Sequence, residues 1–265
     1  MDPRFQGIWK LAVESMTEDP TTETDLSSRS AEELKWLKEV MDKIGKDQTS
    51  DVDLMLEALK DAKAGTEIAD NLHAAAEFCE DIDFAEVAVN NGQAIGVALK
   101  YIPFKDGEIR AAAARLLAAI SQNNEKVQEK TVTCLSLLLK IASEEKEAGA
   151  LRFQLSAISS TARYNRKSIK QFFDLNGIKL LEQVLTDFSS DNKVLSRAIF
   201  MATCFYQQCD IVLEEEAGKT VDDGIKKEEI KELYTKHSIF DKAAQFVKSN
   251  DCNLSENASN LLKLK

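Results

Sequence analysis

Apolar residues recur along this chain at three- and four-residue spacings, and the strict alternation of a strand is hard to find anywhere. Near the start, Phe5, Ile8, Trp9, Ala12, Val13 and Met16 fall on one stripe of a short helix. About twelve residues do not hold a helix alone in water. The stripe therefore needs a surface, either the protein's own body or a partner's groove. Residues 17–31 are polar and rich in Ser and Thr and read as a linker. A stronger helix follows, opened by a Ser30–Glu33 capping box and striped by Leu34, Leu37, Val40, Met41 and Ile44. Another covers about 51–63 and breaks at Gly65-Thr66. Beyond Pro20 only Pro103 interrupts the chain, so nearly all of it is expected to be helix.

The helical pattern repeats. "NNGQAIGVAL" at 90–99 resembles "LNGIKLLEQVL" at 175–185, and their glycines, Gly92 and Gly177, are separated by two periods of about 42 residues. Small-residue helices beginning near 108, 150 and 193 keep the same step. A period of about 40–47 in an all-helical chain indicates an armadillo or HEAT solenoid. The expected fold is all-α: a right-handed superhelical solenoid of about four armadillo repeats flanked by capping helices. Each repeat has a short first helix, a second, and a longer third. The third helices are placed at about 92–102, 134–142, 177–187 and 239–248, lining the concave face. Ala111 to Ala114, Ala118 and Ala119 permit close helix approach. The expected organisation is an amphipathic segment at 1–16, a linker at 17–30 and one helical domain at 31–265, with a charged insertion at 214–229.

Charge narrows the partners. A net charge of −11 argues against nucleic acid or an anionic membrane, both of which select a basic footprint. Charges at Asp2, Arg4, Lys10, Glu14, Glu18 and Asp19 interrupt any apolar signal-peptide core. Five scattered cysteines suit a reducing compartment, so the expected location is cytoplasmic. Catalytic constellations are missing. There is no Walker sequence, dinucleotide fingerprint or nucleophile elbow. His73 and His237 lie in different repeats, and no cysteine pair has zinc spacing. Cys204 and Cys209 read as core thiols. The expectation is a protein-binding module with no cofactor and no metal, not an enzyme.

Four stretches carry a more specific signal: "SAEELKWLKEVMDKI" (30–44), "AEFCEDIDFAEVAVNNG" (76–92), "EIRAAAARLLAAISQNNEKVQEK" (108–130) and "LRFQLSAISSTARYNRKSIKQFFDLNG" (151–177). Their order and spacing resemble the armadillo-type nucleotide exchange factors of the 70-kDa heat-shock chaperones, over roughly residues 5–205. The most specific parts are "ISQNN" after an alanine-rich helix and Glu80-x-Ile82-Asp83-x-Ala85. The charged N-terminus points to the family's cytosolic branch.

The resemblance implies a co-chaperone. It would grip one lobe of the chaperone's ATPase domain, favour an open arrangement that releases ADP, and so free the client. It implies partner contacts at Asp83 and Ala85, with Asn91, Gln93, Lys100, Asn176, Lys179, Gln183 and Arg197 as further candidates on the same face. Asn91 and Asn176 also read as simple helix caps. Phe84 departs from the Asn usual in the family. Phe5, Ile8, Trp9, Leu11 and Val13 resemble a pseudo-substrate helix that helps clear the chaperone's peptide site. The alternative is an armadillo scaffold that binds another protein or peptide without exchange activity. A ladder of Trp and Asn along the repeats would mark such a peptide binder, but Trp9 and Trp36 both precede them.

Overall fold

The computed structural model describes Lys35, residues 50–211 and residues 224–265. The chain divides into residues 1–50 and 51–265, and the architecture given below is that of the second unit. The expected N-terminal stripe, the linker, the 30–44 helix and most of the charged insertion lie outside the described residues.

Every regular element among the described residues is a helix. Helices α1 (Asp51–Ala64) and α2 (Ile68–Phe78) precede four triplets. The first is α3 (Ile82–Asn90), α4 (Ala94–Tyr101) and α5 (Gly107–Ser121). The second is α6 (Glu125–Thr131), α7 (Leu135–Glu144) and α8 (Ala148–Ala162), with a 3-10 turn at Val132–Cys134. The third is α9 (Arg166–Asp174), α10 (Gly177–Asp187) and α11 (Asn192–Gln208). The last is α12 (Lys227–Lys236), α13 (Ile239–Ala244) and α14 (Cys252–Leu262). The triplets are armadillo repeats in succession.

This order corrects one expectation. The segments at 92–102, 134–142, 177–187 and 239–248 are the second helices of their repeats, not the third. They are short: α4 has 8 residues, α10 has 11 and α13 has 6. The third helices are the small-residue ones, with 15 residues in α5, 15 in α8 and 17 in α11. Helices α2, α5, α8, α11 and α14 each pack on the next to form one continuous row, while α7, α10 and α13 pack in a second row. A helix in the first row has neighbours on both sides. Its inner faces are therefore small and apolar, with Ala112, Ala113, Leu116, Leu117 and Ile120 of α5 all buried.

The recurring glycine marks a different constraint. A Cβ on Gly177 would come within 2.4 Å of the Phe172 ring, and one on Gly92 within 2.4 Å of Leu59 Cδ1. Glycine stands where the first helix turns sharply against the second, so it locates a turn and not the long core helix.

Polar residues punctuate the repeats. Asp106, Asn124, Asn165, Asp191 and Asp251 are N-caps whose side chains accept backbone N–H groups. In "ISQNN", Ser121 ends α5, Asn123 takes a left-handed φ of 54°, and Asn124 Oδ1 accepts from Val127 N at 3.2 Å. The motif is a repeat joint, as its composition suggests. A second joint is electrostatic. Arg110 Nε and Nη2 donate to both oxygens of Glu145 at 2.7 and 2.8 Å, and Nη1 donates to the Phe104 and Lys105 carbonyls. Gln154 Nε2 donates to the same carboxylate at 2.8 Å, so one buried glutamate ties α5 to α8 and to the loop between α4 and α5.

Candidate functional site

The residues expected to meet a partner fall in separate places. Asp83 is exposed in the first turn of α3. Ala85, two residues on, is only 1% exposed and packs in the core. It does not present a surface, because α3 buries its Ala85 and Ala88 side against the neighbouring helices. Gln93 and Lys100 cluster at the end of α1: Lys63 Nζ donates to Gln93 Oε1 at 2.6 Å, and Lys100 Nζ donates to the Lys63 carbonyl at 2.8 Å. Asn91 follows α3 as its C-terminal residue. Asn176, Lys179 and Gln183 share a groove of about 420 Å³ between α7 and α10, where Gln183 Nε2 donates to the Ser143 carbonyl at 3.0 Å. Asn176 does precede α10, but in a left-handed conformation (φ 65°) and without a side-chain cap bond. Arg197 lies apart from all of these, on α11.

Arg197 belongs to a face that the glycine pattern did not reveal, along the row of long helices. At one end, Arg115 on α5 reaches Glu77 at 3.4 Å and Glu80 at 3.5 Å. Its Nη1 also lies 3.3 Å from His73 Nδ1. Burial, and then the Arg115 charge, hold the His73 imidazole below its ordinary pKa of 6.5, which favours the neutral ring. The His73 ring meets Phe153 edge-on at 6.4 Å, and the Arg152 guanidinium lies 4.5 Å above the Phe153 ring.

At the other end, Arg163 and Arg197 each sit 5.6 Å from the centroid of Phe200. Both distances are within cation–π range. Burial, followed by the nearby charges of Arg163 and Arg152, lowers the Arg197 pKa from its usual value. Burial raises the Cys204 thiol, and Arg163 and Arg197 oppose that rise. A cavity of about 470 Å³ opens beside this group between α8, α11 and α14, lined by Arg152, Lys193, Arg197, Phe200, Asp251 and Glu256 among others.

A face of this kind suits macromolecular binding. It runs across successive helices, alternates guanidinium groups with aromatic rings, and is set on a rigid backbone. Arg115, His73, Arg152, Phe153, Arg163 and Phe200 were missed by reading glycines. Their signal was present: each small-residue helix carries an arginine, in "EIRAAAARLL", "LRFQLS" and "SRAIFM", within an otherwise acidic chain. Among the described residues no group of His, Cys, Asp and Glu side chains is arranged to hold a metal ion. No helix among them is long and apolar enough to cross a membrane.

No known family profile matches the chain. It is 32% identical over 111 residues to the Hsp70 nucleotide exchange factor FES1 of Saccharomyces cerevisiae, a match covering 40% of this chain and 38% of that protein. It is 23% identical over 253 residues to Hsp70-binding protein 1 of Rattus norvegicus, covering 89% of this chain and 68% of the relative. The chain thus resembles proteins named for Hsp70 nucleotide exchange and Hsp70 binding. The match spans well under half the length of the yeast relative and about two thirds of the rat one. Solved structures agree on the fold. A designed armadillo repeat protein superposes with a TM-score of 0.53 over 79% of this chain and 99% of its own, at 14% identity. An engineered protein superposes with a TM-score of 0.62 over 79% of this chain and 47% of its own, at 17% identity. The exchange-factor family and the armadillo fold thus agree with the motifs and the repeat period.

Proposed function

We propose that this protein is a cytoplasmic co-chaperone that binds the ATPase domain of a 70-kDa heat-shock chaperone, speeds ADP release and so frees the client. The observation that carries the reading is the arginine and aromatic face along α5, α8 and α11, in a chain similar to proteins named for Hsp70 binding and nucleotide exchange. The action is non-catalytic in the chemical sense. A rigid face that fits an open arrangement of the nucleotide cleft better than a closed one shifts the population toward opening. A tenfold weakening of ADP takes only about 1.4 kcal/mol of such coupling. Asp83, exposed on α3 and matching the family's Asp-x-Ala pattern, and Arg197, on the face itself, are retained as candidate contacts. Asn91, Gln93, Lys100, Asn176, Lys179 and Gln183 lie at other edges and would contribute through a wider footprint.

The test is direct. The ATPase domain is loaded with fluorescent ADP and this protein is added at micromolar concentration. Acceleration of release supports the proposal, and an unchanged rate refutes it. The second reading is a scaffold without exchange activity. One designed armadillo neighbour was solved with the peptide (KR)4, a basic ligand. The arginine-bearing face described above opposes a basic peptide, so a scaffold of this chain would take a different guest.

A further inference from the structure

The face just described contains an electrostatic arrangement that no carboxylate among the described residues completes. Arg163 and Arg197 both lie against one ring, Phe200, at 5.6 Å. Arg152 lines the same cavity as Arg197 and Phe200. Among the described residues, none of these three arginines has a carboxylate oxygen within the 4.0 Å of an ion pair. The Nε of Arg163 is buried and has no hydrogen-bond partner. The contrast with Arg110 is sharp, since that residue is fully engaged by Glu145 and Glu147. Buried guanidinium groups normally find acceptors, and like charges near one another are mutually unfavourable.

The rest of the cavity does not supply the missing acceptors. Asp251 is engaged as the N-cap of α14, accepting from Leu254 N at 3.0 Å. Glu256 is exposed, and Lys193 adds another cation to the lining. A cluster of cations with this geometry, in a chain whose net charge is −11, selects an anionic guest by charge complementarity. Planar guanidinium forks match carboxylates in paired, two-point hydrogen bonds. The cavity of about 470 Å³ accommodates side chains inserted from outside.

We infer that Arg152 and Arg197, which line the cavity, and Arg163, which shares the Phe200 ring with Arg197, form a receptor for an acidic segment of the protein partner, whose clustered carboxylates enter the cavity between α8, α11 and α14. The inference rests on the co-chaperone reading for the identity of that partner, and on the arginine geometry alone for its chemistry. Phe200 acts as the floor. It lies within cation–π distance of both guanidinium groups.

The experiment uses the full chain and a fluorescein-labelled hexaglutamate peptide, followed by anisotropy, with hexaglutamine and inorganic phosphate as controls. Hexaglutamate is expected to bind, hexaglutamine is not, and affinity is expected to fall as salt rises. Arg163→Gln and Arg152→Gln are each expected to weaken hexaglutamate about tenfold with unchanged circular dichroism, a loss of the order of one charge-assisted pair. Arg163→Lys, which keeps the charge and loses the fork, is expected to fall between parent and Arg163→Gln. Equal affinity in parent and variants overturns the inference. So does displacement of the peptide by millimolar phosphate, which would mark the site as a phosphate receptor.

Competition by the chaperone ATPase domain separates the two proposals. Displacement of hexaglutamate by that domain supports both. Hexaglutamate binding that depends on the arginines, with no binding of the domain, refutes the chaperone as partner and leaves the acidic receptor standing. Equal binding of the domain to parent, Arg163→Gln and Arg152→Gln leaves the chaperone reading standing and overturns the receptor.

Discussion

Replacing Glu145 with Ala is expected to be among the most damaging polar substitutions in the described residues. Its side chain is 2% exposed and accepts five hydrogen bonds: two from Arg110, one from Gln154, and two from the backbone N–H groups of Lys146 and Glu147. Removal leaves the Arg110 guanidinium, itself 14% exposed, without its main counter-charge, and leaves Gln154 Nε2 without its acceptor inside the core. Breaking a buried pair from one side costs about 3–5 kcal/mol. For a domain of this size each kcal/mol moves the midpoint by about 2–4 °C, so the loss is expected to exceed about 6 °C.

The pH dependence gives an independent check. Burial raises the Glu145 pKa, but the hydrogen bonds from Arg110, the Glu147 backbone and Gln154 outweigh it and hold the carboxyl below its ordinary value of 4.5. A carboxyl with a depressed folded pKa contributes stability that is complete above its unfolded pKa and is lost as pH falls through the folded one. The stability gap between parent and Glu145→Gln is therefore expected to be widest near neutral pH and to narrow progressively below about pH 4.5. Urea titrations of the two proteins at a series of pH values measure it. A Glu145→Ala midpoint within about 2 °C of the parent, or a Gln gap that stays flat as the solution is acidified, would refute the reasoning.

Three other outcomes are expected. Gly177→Ala should destabilise by about 1–3 kcal/mol, because the new methyl meets the Phe172 ring at 2.4 Å; a thermal midpoint equal to the parent's contradicts the close approach. Ala85→Arg should destabilise by about 3–5 kcal/mol by forcing a charge into a 1% exposed position; any loss of chaperone binding should then accompany loss of helical content, and a fully helical variant that only fails to bind would return Ala85 to the interface. Deleting residues 1–16 should leave ADP release intact and slow the freeing of tightly held client; equal client release from both forms would limit the Phe5, Ile8, Trp9, Leu11 and Val13 stripe to docking on its own body.

The fold was legible because its signals are periodic. Small-residue helices at a constant step, scarce proline and capping Asp and Asn residues carry the repeat without any long-range information. What was misread was which helix of the triplet is the long third one. The glycines at 92 and 177 drew attention to the second helices, yet glycine records only where Leu59 and Phe172 come close. The proposed binding row is instead built from helices whose alanines seemed to serve packing alone. Arg163 was illegible for a further reason: it follows α8, and only the stacking of repeats brings it to Phe200, in the next repeat.

The row of long helices separates two jobs on one element. Inner positions such as Ala112, Ala157 and Ala198 are fully buried and set the spacing between repeats, while Arg115, Arg152 and Arg197 on the same helices lie only partly buried. In a solenoid each repeat contacts mainly its neighbours, so stability is close to a sum of local terms. A change at an outer arginine should therefore alter binding with little effect on unfolding. A change at an inner alanine should shift the distance between two arginines and impair both. The Arg110–Glu145 tie joins α5 to the loop before α8, and Gln154 extends it into α8, so its loss would also disturb the spacing from Arg115 to Arg152. Glu145→Ala is thus expected to weaken partner binding although Glu145 is almost wholly buried. Outer-face variants that bind poorly at parental stability, beside a Glu145 variant that loses both, would establish that division.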